Sequence, residues 1–171
     1  MNRRRSDQPS ILFVCLGNIC RSPMAEGALR VEAARRNLDL IVDSAGTGDW
    51  HVGQSPDVRA QATARRHGVE IGGLRARQVT AADFHRFDHI IALDHQNLTD
   101  LERLRPDDST AALSLLLDHV PGRRGQAVTD PWFGDAAGFD TTWAEVTAAA
   151  RGLVAALIPS PDGRGLERPG A

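Results

Sequence analysis

With 171 residues, 42% of them apolar and 25% charged, the chain has the size and composition of one globular domain with its own core. A net charge of −2 offers no basic field for nucleic acid or an anionic membrane, and six His without paired ligand spacing point away from a metal centre. Two cysteines are too few for a secreted disulfide framework, so a reducing, cytoplasmic setting is expected.

Residues 1–8, with Arg3 to Arg5, read as a disordered arm. The apolar run Ile11 to Val14 that follows is too short for a signal segment, and no stretch approaches the roughly 20 apolar residues of a membrane span. Because that run is continuous rather than alternating, it predicts a strand covered on both faces, as in a parallel sheet. A loop from Cys15 to Arg21 leads into a helix with Ser22 as N-cap and Pro23 at its first position. Next come a strand over Leu40 to Ser44, a helix over Pro56 to His67 stopped by Gly68, and a short helix over Thr80 to Phe84 with a Thr80/Asp83 capping box. The strand His89 to Leu93, a helix capped by Asp94 and the apolar run Leu113 to Leu117 follow.

The last helix carries Phe139, Trp143, Val146, Ala150, Leu153 and Leu157 on one stripe, and residues 159–171 read as a disordered tail. Strands alternating with helices predict one doubly wound α/β domain over residues 9–158, with a parallel sheet of about four strands and helices on both faces. Ligands in such folds sit at the carboxyl ends of the strands, where the loop after Val14 lies.

That loop, Cys15-Leu16-Gly17-Asn18-Ile19-Cys20-Arg21-Ser22, places a thiol first, a guanidinium six residues on and a hydroxyl next, all leading into a helix N-terminus. Its backbone N–H groups can converge into an anion nest, with Gly17 and Asn18 tolerating the positive φ such a ring needs. Arg21 would grip two oxygens of a dianion, a geometry Lys lacks. The same N–H groups favour a thiolate, so Cys15 reads as a nucleophile needing no neighbouring base, with Ser22 donating to its sulfur. The plainer reading, a buried structural Cys at a strand end, explains neither the Arg nor the Ser-Pro start.

These residues resemble the signature of the low-molecular-weight protein tyrosine phosphatase family. The resemblance continues through Ser44-Ala45-Gly46-Thr47, Trp50-His51, Pro56-Asp57-x-Arg59, Ala76-Arg77-Gln78, Phe87-Asp88, Asp94 and Asp130-Pro131, in the family's order over residues 10 to 157. It implies a four-stranded flavodoxin-like sheet, hydrolysis of phosphotyrosine through a phosphocysteine, and no cofactor or metal. It also implies that Asp130 is the general acid, that Trp50, Trp132 and Phe133 wall a deep aryl slot, and that Ser44 supports Asn18. Asp130 could also be only a turn-initiating Asp before Pro, and Phe133 an ordinary core residue.

There are departures as well. The chain contains no Tyr, so it lacks the adjacent tyrosines that many members carry after Asp-Pro, and regulation by their phosphorylation is excluded. Leu74 stands where much of the family has a His supporting the residues matching Ser44 and Asn18. Cys20 has two readings: a disulfide partner protecting Cys15, or a small buried side chain. Asp94 is expected to cap its helix and brace Arg21, Arg59 to pair with a carboxylate, and His51, His67, His85 and His119 to lie on the surface or in turns.

An arsenate reductase on the same fold would need further cysteines near residues 80 to 90, and there are none. A phosphoarginine phosphatase of the same family tends to have Thr where this chain has Ile19. A catalytically silent phosphate-binding module would not need Cys15, Arg21, Ser22 and Asp130 together. The expected partner is a phosphotyrosine-containing protein, such as a tyrosine kinase, met by a monomer or weak dimer.

Overall fold

The computed structural model describes residues 8–158. The expected tail lies outside the described residues, as does the expected arm except for Gln8, whose side chain donates to Asp39 Oδ1 at 2.7 Å. Four parallel strands, β1 (Ser10–Cys15), β2 (Ile41–Gly46), β3 (His89–Ala92) and β4 (Ala112–Leu115), lie in the order β2-β1-β3-β4. Between and after them run α1 (Arg21–Arg35), α2 (Val58–Arg66), the single turn α3 (Asp83–Arg86), α4 (His95–Leu104) and α5 (Ala136–Leu157).

β1 is buried at every position, as its unbroken apolar run requires. Its side chains divide by period two: Ile11, Phe13 and Cys15 enter one core with Met24, Leu29, Phe139, Val146 and Leu153, whereas Leu12 and Val14 enter the other with Phe84, Phe87 and Leu101. The helices α1, α2 and α5 thus cover one face, and α3 and α4 the other. This is the expected doubly wound, flavodoxin-like arrangement. The chain order reverses between β1 and β3, and the loop after Cys15 opens at that switch point.

Several boundaries differ from expectation for local reasons. α1 begins at Arg21 with Cys20 at its cap position and no side-chain cap bond, because the Ser22 hydroxyl is engaged at the Cys15 sulfur instead. α2 begins after Asp57, whose carboxylate accepts from the Arg59 N–H, and Gly68 stops it at φ +77°, a value other residues rarely adopt. α3 starts later than expected, although the Asp83 carboxylate does accept from the Thr80 N–H at 2.8 Å. The run Leu113 to Leu117 is strand only to Leu115. There Asp118 accepts the Leu115 N–H at 3.0 Å and turns the chain into a 3₁₀ turn, Leu116–His119. Among the described residues no helix is long and apolar enough to cross a membrane.

Candidate active site

The loop from Cys15 is fixed at its start by two backbone hydrogen bonds from the β2 extension, Thr47 N–H to Cys15 O and Gly48 N–H to Leu16 O, both 2.9 Å. A third tie comes from α2, where the Asp57 N–H donates to Ile19 O at 2.8 Å. Within the loop Asn18 takes φ 56°, the left-handed conformation expected of it. Gly17 does not share that conformation. It stands instead where a side chain would press on the His51 ring, 3.0 Å from a Cβ.

Behind the loop runs a buried chain of polar contacts. Cys15 Sγ lies 3.0 Å from Ser22 Oγ, and Asn18 Nδ2 donates to Ser22 Oγ at 2.8 Å and to Ser44 Oγ at 3.0 Å. Asn18 Oδ1 accepts from the Arg77 N–H at 3.0 Å, and Ser44 Oγ donates to Glu26 Oε1 at 2.8 Å. The other Glu26 oxygen receives Nε and NH2 of Arg30, one turn on, at 3.0 and 2.8 Å. Burial raises the Glu26 carboxyl above the ordinary range against the opposing pull of Arg30 and Ser44. Leu74 packs against the core, and the support expected from a His there comes from Glu26 and Arg30. Those two residues were missed in the sequence; their Glu-to-Arg spacing of four was the available signal.

Arg21 is 2% exposed, and its NH1 is consumed by the scaffold, donating to Asp94 Oδ2 at 2.7 Å and to Val128 O at 3.0 Å. Asp94 does both jobs expected of it, since its other oxygen accepts the Asn97 N–H at 2.7 Å. The remaining edge of Arg21, Nε and NH2, makes no hydrogen bond among the described residues, and NH2 stands 3.5 Å from Asp130 Oδ2. Burial works against the Arg21 charge, but Cys15, Asp94 and Asp130 outweigh it and strengthen it. For Cys20 burial comes first, followed by Asp57, Cys15 and Asp130, and all raise the thiol far above its usual range.

Above the loop a cleft of about 130 Å³ is lined by Cys15, Leu16, Gly17, Ile19, Cys20, Arg21, Trp50, His51, Asp130, Trp132 and Phe133. The side chains of Asn18, Ser22 and Ser44 are buried behind it. The Trp50 ring packs against Gly48, where a Cβ would fall 2.0 Å from it. Phe133 is 89% exposed, which removes the reading of it as core. Asp130 opens a 3₁₀ turn, Pro131–Phe133, and its carboxylate accepts the Trp132 N–H at 3.0 Å.

His51 lines the cleft, a role not assigned from the sequence although it adjoins Trp50. His119 lies in the 3₁₀ turn Leu116–His119, as a turn residue was expected to, and is half-buried, 2.9 Å from Ser114 Oγ. Among the described residues no three His, Cys, Asp or Glu side chains gather as metal ligands.

Residues 10–160 match the family described as low molecular weight phosphotyrosine protein phosphatase. The low molecular weight protein-tyrosine-phosphatase of Streptomyces coelicolor is 41% identical over 159 residues, 90% of this chain and 96% of that one. The crystal structure of a protein tyrosine phosphatase from Entamoeba histolytica with Hepes in its active site superposes with a TM-score of 0.83 at 32% identity, covering 88% of this chain and 97% of that one. A Drosophila arginine phosphatase gives a TM-score of 0.80 at 34% identity over 85% and 95% of the two chains. With the four-stranded fold and the Cys15 to Ser22 loop in place, these matches establish that the chain belongs to the low molecular weight phosphotyrosine protein phosphatase family.

Proposed function

We propose that the chain hydrolyses phosphotyrosine in proteins through a phosphocysteine on Cys15. The observation that carries this reading is the free Nε/NH2 edge of the buried Arg21, held beside Cys15 by Asp94 and Val128 and 3.5 Å from Asp130. A phosphate taking that edge and the loop amides lies with its phosphorus over the sulfur. Cys15 Sγ attacks phosphorus, the bond to the tyrosyl oxygen breaks, and Asp130 gives its proton to that oxygen. Water then attacks the phosphocysteine, losing its proton to Asp130, while the leaving sulfur takes up the Ser22 hydroxyl bond, 3.0 Å long in the free site.

Trp50, Trp132 and Phe133 supply faces for a phenyl ring, and the depth of Cys15 disfavours the shorter phosphoserine. Ile19, 7% exposed on the cleft wall, favours an aryl ring over a guanidinium. The compartment that keeps Cys15 and Cys20 as thiols is the cytoplasm, and the partner class is a phosphotyrosine-bearing protein such as a tyrosine kinase. The experiment is a steady-state comparison of phosphotyrosine, phosphoserine, phosphoarginine and arsenate on the purified chain. Phosphotyrosine should lead by at least tenfold in kcat/KM, and a lead for phosphoarginine or arsenate overturns the assignment.

A further inference from the structure

We infer that Arg59 is a positioning residue for Asp130, locking the acid-bearing turn to the phosphate loop; the inference rests on the role proposed for Asp130. Arg59 lies outside the cleft lining, on the first turn of α2. Its guanidinium sits 5.3 Å from the centre of the Trp132 ring and 4.8 Å from that of the buried Phe139. Its NH1 donates to the Trp132 carbonyl at 3.3 Å. The N–H of that same Trp132 donates to Asp130 Oδ1 at 3.0 Å. One residue therefore has its carbonyl tied to Arg59 and its N–H aimed at the acid.

The other side of Arg59 is equally committed. Nε and NH2 donate to the two oxygens of Asp57 at 3.0 and 3.1 Å, and the Asp57 N–H donates to Ile19 O of the phosphate loop at 2.8 Å. Asp57 is partly buried, which pushes its carboxyl up, but the bonds from Arg59 outweigh this and hold it below the usual range. A planar fork with five N–H groups meets the carboxylate, the carbonyl and two ring faces at once, and Lys cannot. Asp130 is half-exposed on a three-residue turn, and its only other described contact is Arg21 NH2, the group a phosphate would engage. When phosphate takes Arg21, the tie through Trp132 and Arg59 is what keeps the carboxyl aimed at the leaving oxygen.

The test is a mutant cycle of Arg59→Met, Asp130→Asn and the double variant, reading kcat on phosphotyrosine and on p-nitrophenyl phosphate, the pH profile and vanadate affinity. Arg59→Met should lower kcat on phosphotyrosine by about 10-fold, as expected of a misplaced catalytic group, with a smaller loss on p-nitrophenyl phosphate, whose leaving group depends less on a proton. Vanadate affinity should hold within twofold, and the double variant should be no slower than Asp130→Asn. Arg59→Lys should fail to restore the rate and carries the same cycle should Arg59→Met not fold.

Losses that multiply in the double variant, or fall equally on both substrates, or appear only in KM, overturn the positioning role while leaving the acid in place. Full activity in Arg59→Lys also overturns it. An Asp130→Asn variant with wild-type turnover removes the acid itself and the inference with it.

Discussion

Replacing Asn18 by Ala tests the buried scaffold behind the phosphate loop with a magnitude that follows from its contacts. The change deletes two donated bonds, to Ser22 and Ser44, and one accepted from the Arg77 N–H, all between 2.8 and 3.0 Å around a residue only 3% exposed. At about 1 kcal/mol net for each bond, these losses come to roughly 3 kcal/mol. Holding Ala at the observed φ of 56° adds about 1 kcal/mol, so the total approaches roughly 4 kcal/mol of the ~5–15 kcal/mol that stabilises a domain.

Asn18→Gly loses the same bonds without the strain, but the added freedom of Gly in the unfolded chain costs about 0.5–1 kcal/mol, so it should be the milder change by at most about 0.5 kcal/mol. Urea unfolding followed by circular dichroism reads both numbers. Turnover should fall alongside, because Ser22 Oγ loses the contact that keeps it 3.0 Å from the Cys15 sulfur. An Ala variant within about 0.5 kcal/mol of wild type, or one more stable than the Gly variant by over about 0.5 kcal/mol, would refute the reasoning.

Other expectations concern the chemistry and its protection. Asp130→Asn should slow phosphotyrosine turnover by roughly 10²- to 10⁴-fold and remove one limb of a bell-shaped pH profile; normal turnover with both limbs would make Asp130 a turn residue. Arg21→Lys should abolish turnover, since a single ammonium cannot both bond Asp94 and Val128 and grip two phosphate oxygens. Mild peroxide should inactivate reversibly: Cys15 is oxidised to a sulfenic acid, and the neutral thiol of Cys20 condenses with it, releasing water. Mass spectrometry showing only sulfinic or sulfonic Cys15 would reject this disulfide.

Burial holds the His119 pKa below its ordinary value, with His89 adding to the effect and Asp118 opposing it. The unfolded chain therefore takes up that proton first, and the stability His119 contributes is present above the ordinary His pKa and lost as pH falls below it. Urea midpoints measured on either side of that pKa should converge in His119→Gln, and an unchanged pH dependence would remove His119 from the account.

The features legible in the sequence were those written locally. The unbroken run Ile11 to Val14 gave a doubly covered strand, and the Ser22-Pro23 pair gave the loop's passage into a helix. Local signals misled where a distant group competed. Ser22 has the right type for an N-cap, yet its hydroxyl is drawn to Cys15 and Asn18. Leu116 and Leu117 are as apolar as the strand before them, and only the Asp118 carboxylate on the Leu115 N–H ends it.

The support for the loop was illegible for a related reason. Leu74 removes an expected partner, while its replacement, Glu26 with Arg30, lies 18 residues from the Ser44 it serves and reads on its own as a helix-surface ion pair. Phe133 shows the converse, an aromatic whose type suggests a core while its place on a three-residue turn leaves it in solvent.

The most direct measurement of the central claim is to mix the enzyme with a radiolabelled phosphotyrosine peptide, quench in acid during turnover, and map the label by mass spectrometry. Phosphate should appear on the sulfur of Cys15 alone, be chased to inorganic phosphate by unlabelled peptide and be missing from Cys15→Ser, which should still bind phosphate but not turn over. Label on any other residue, or undiminished turnover in Cys15→Ser, would contradict it.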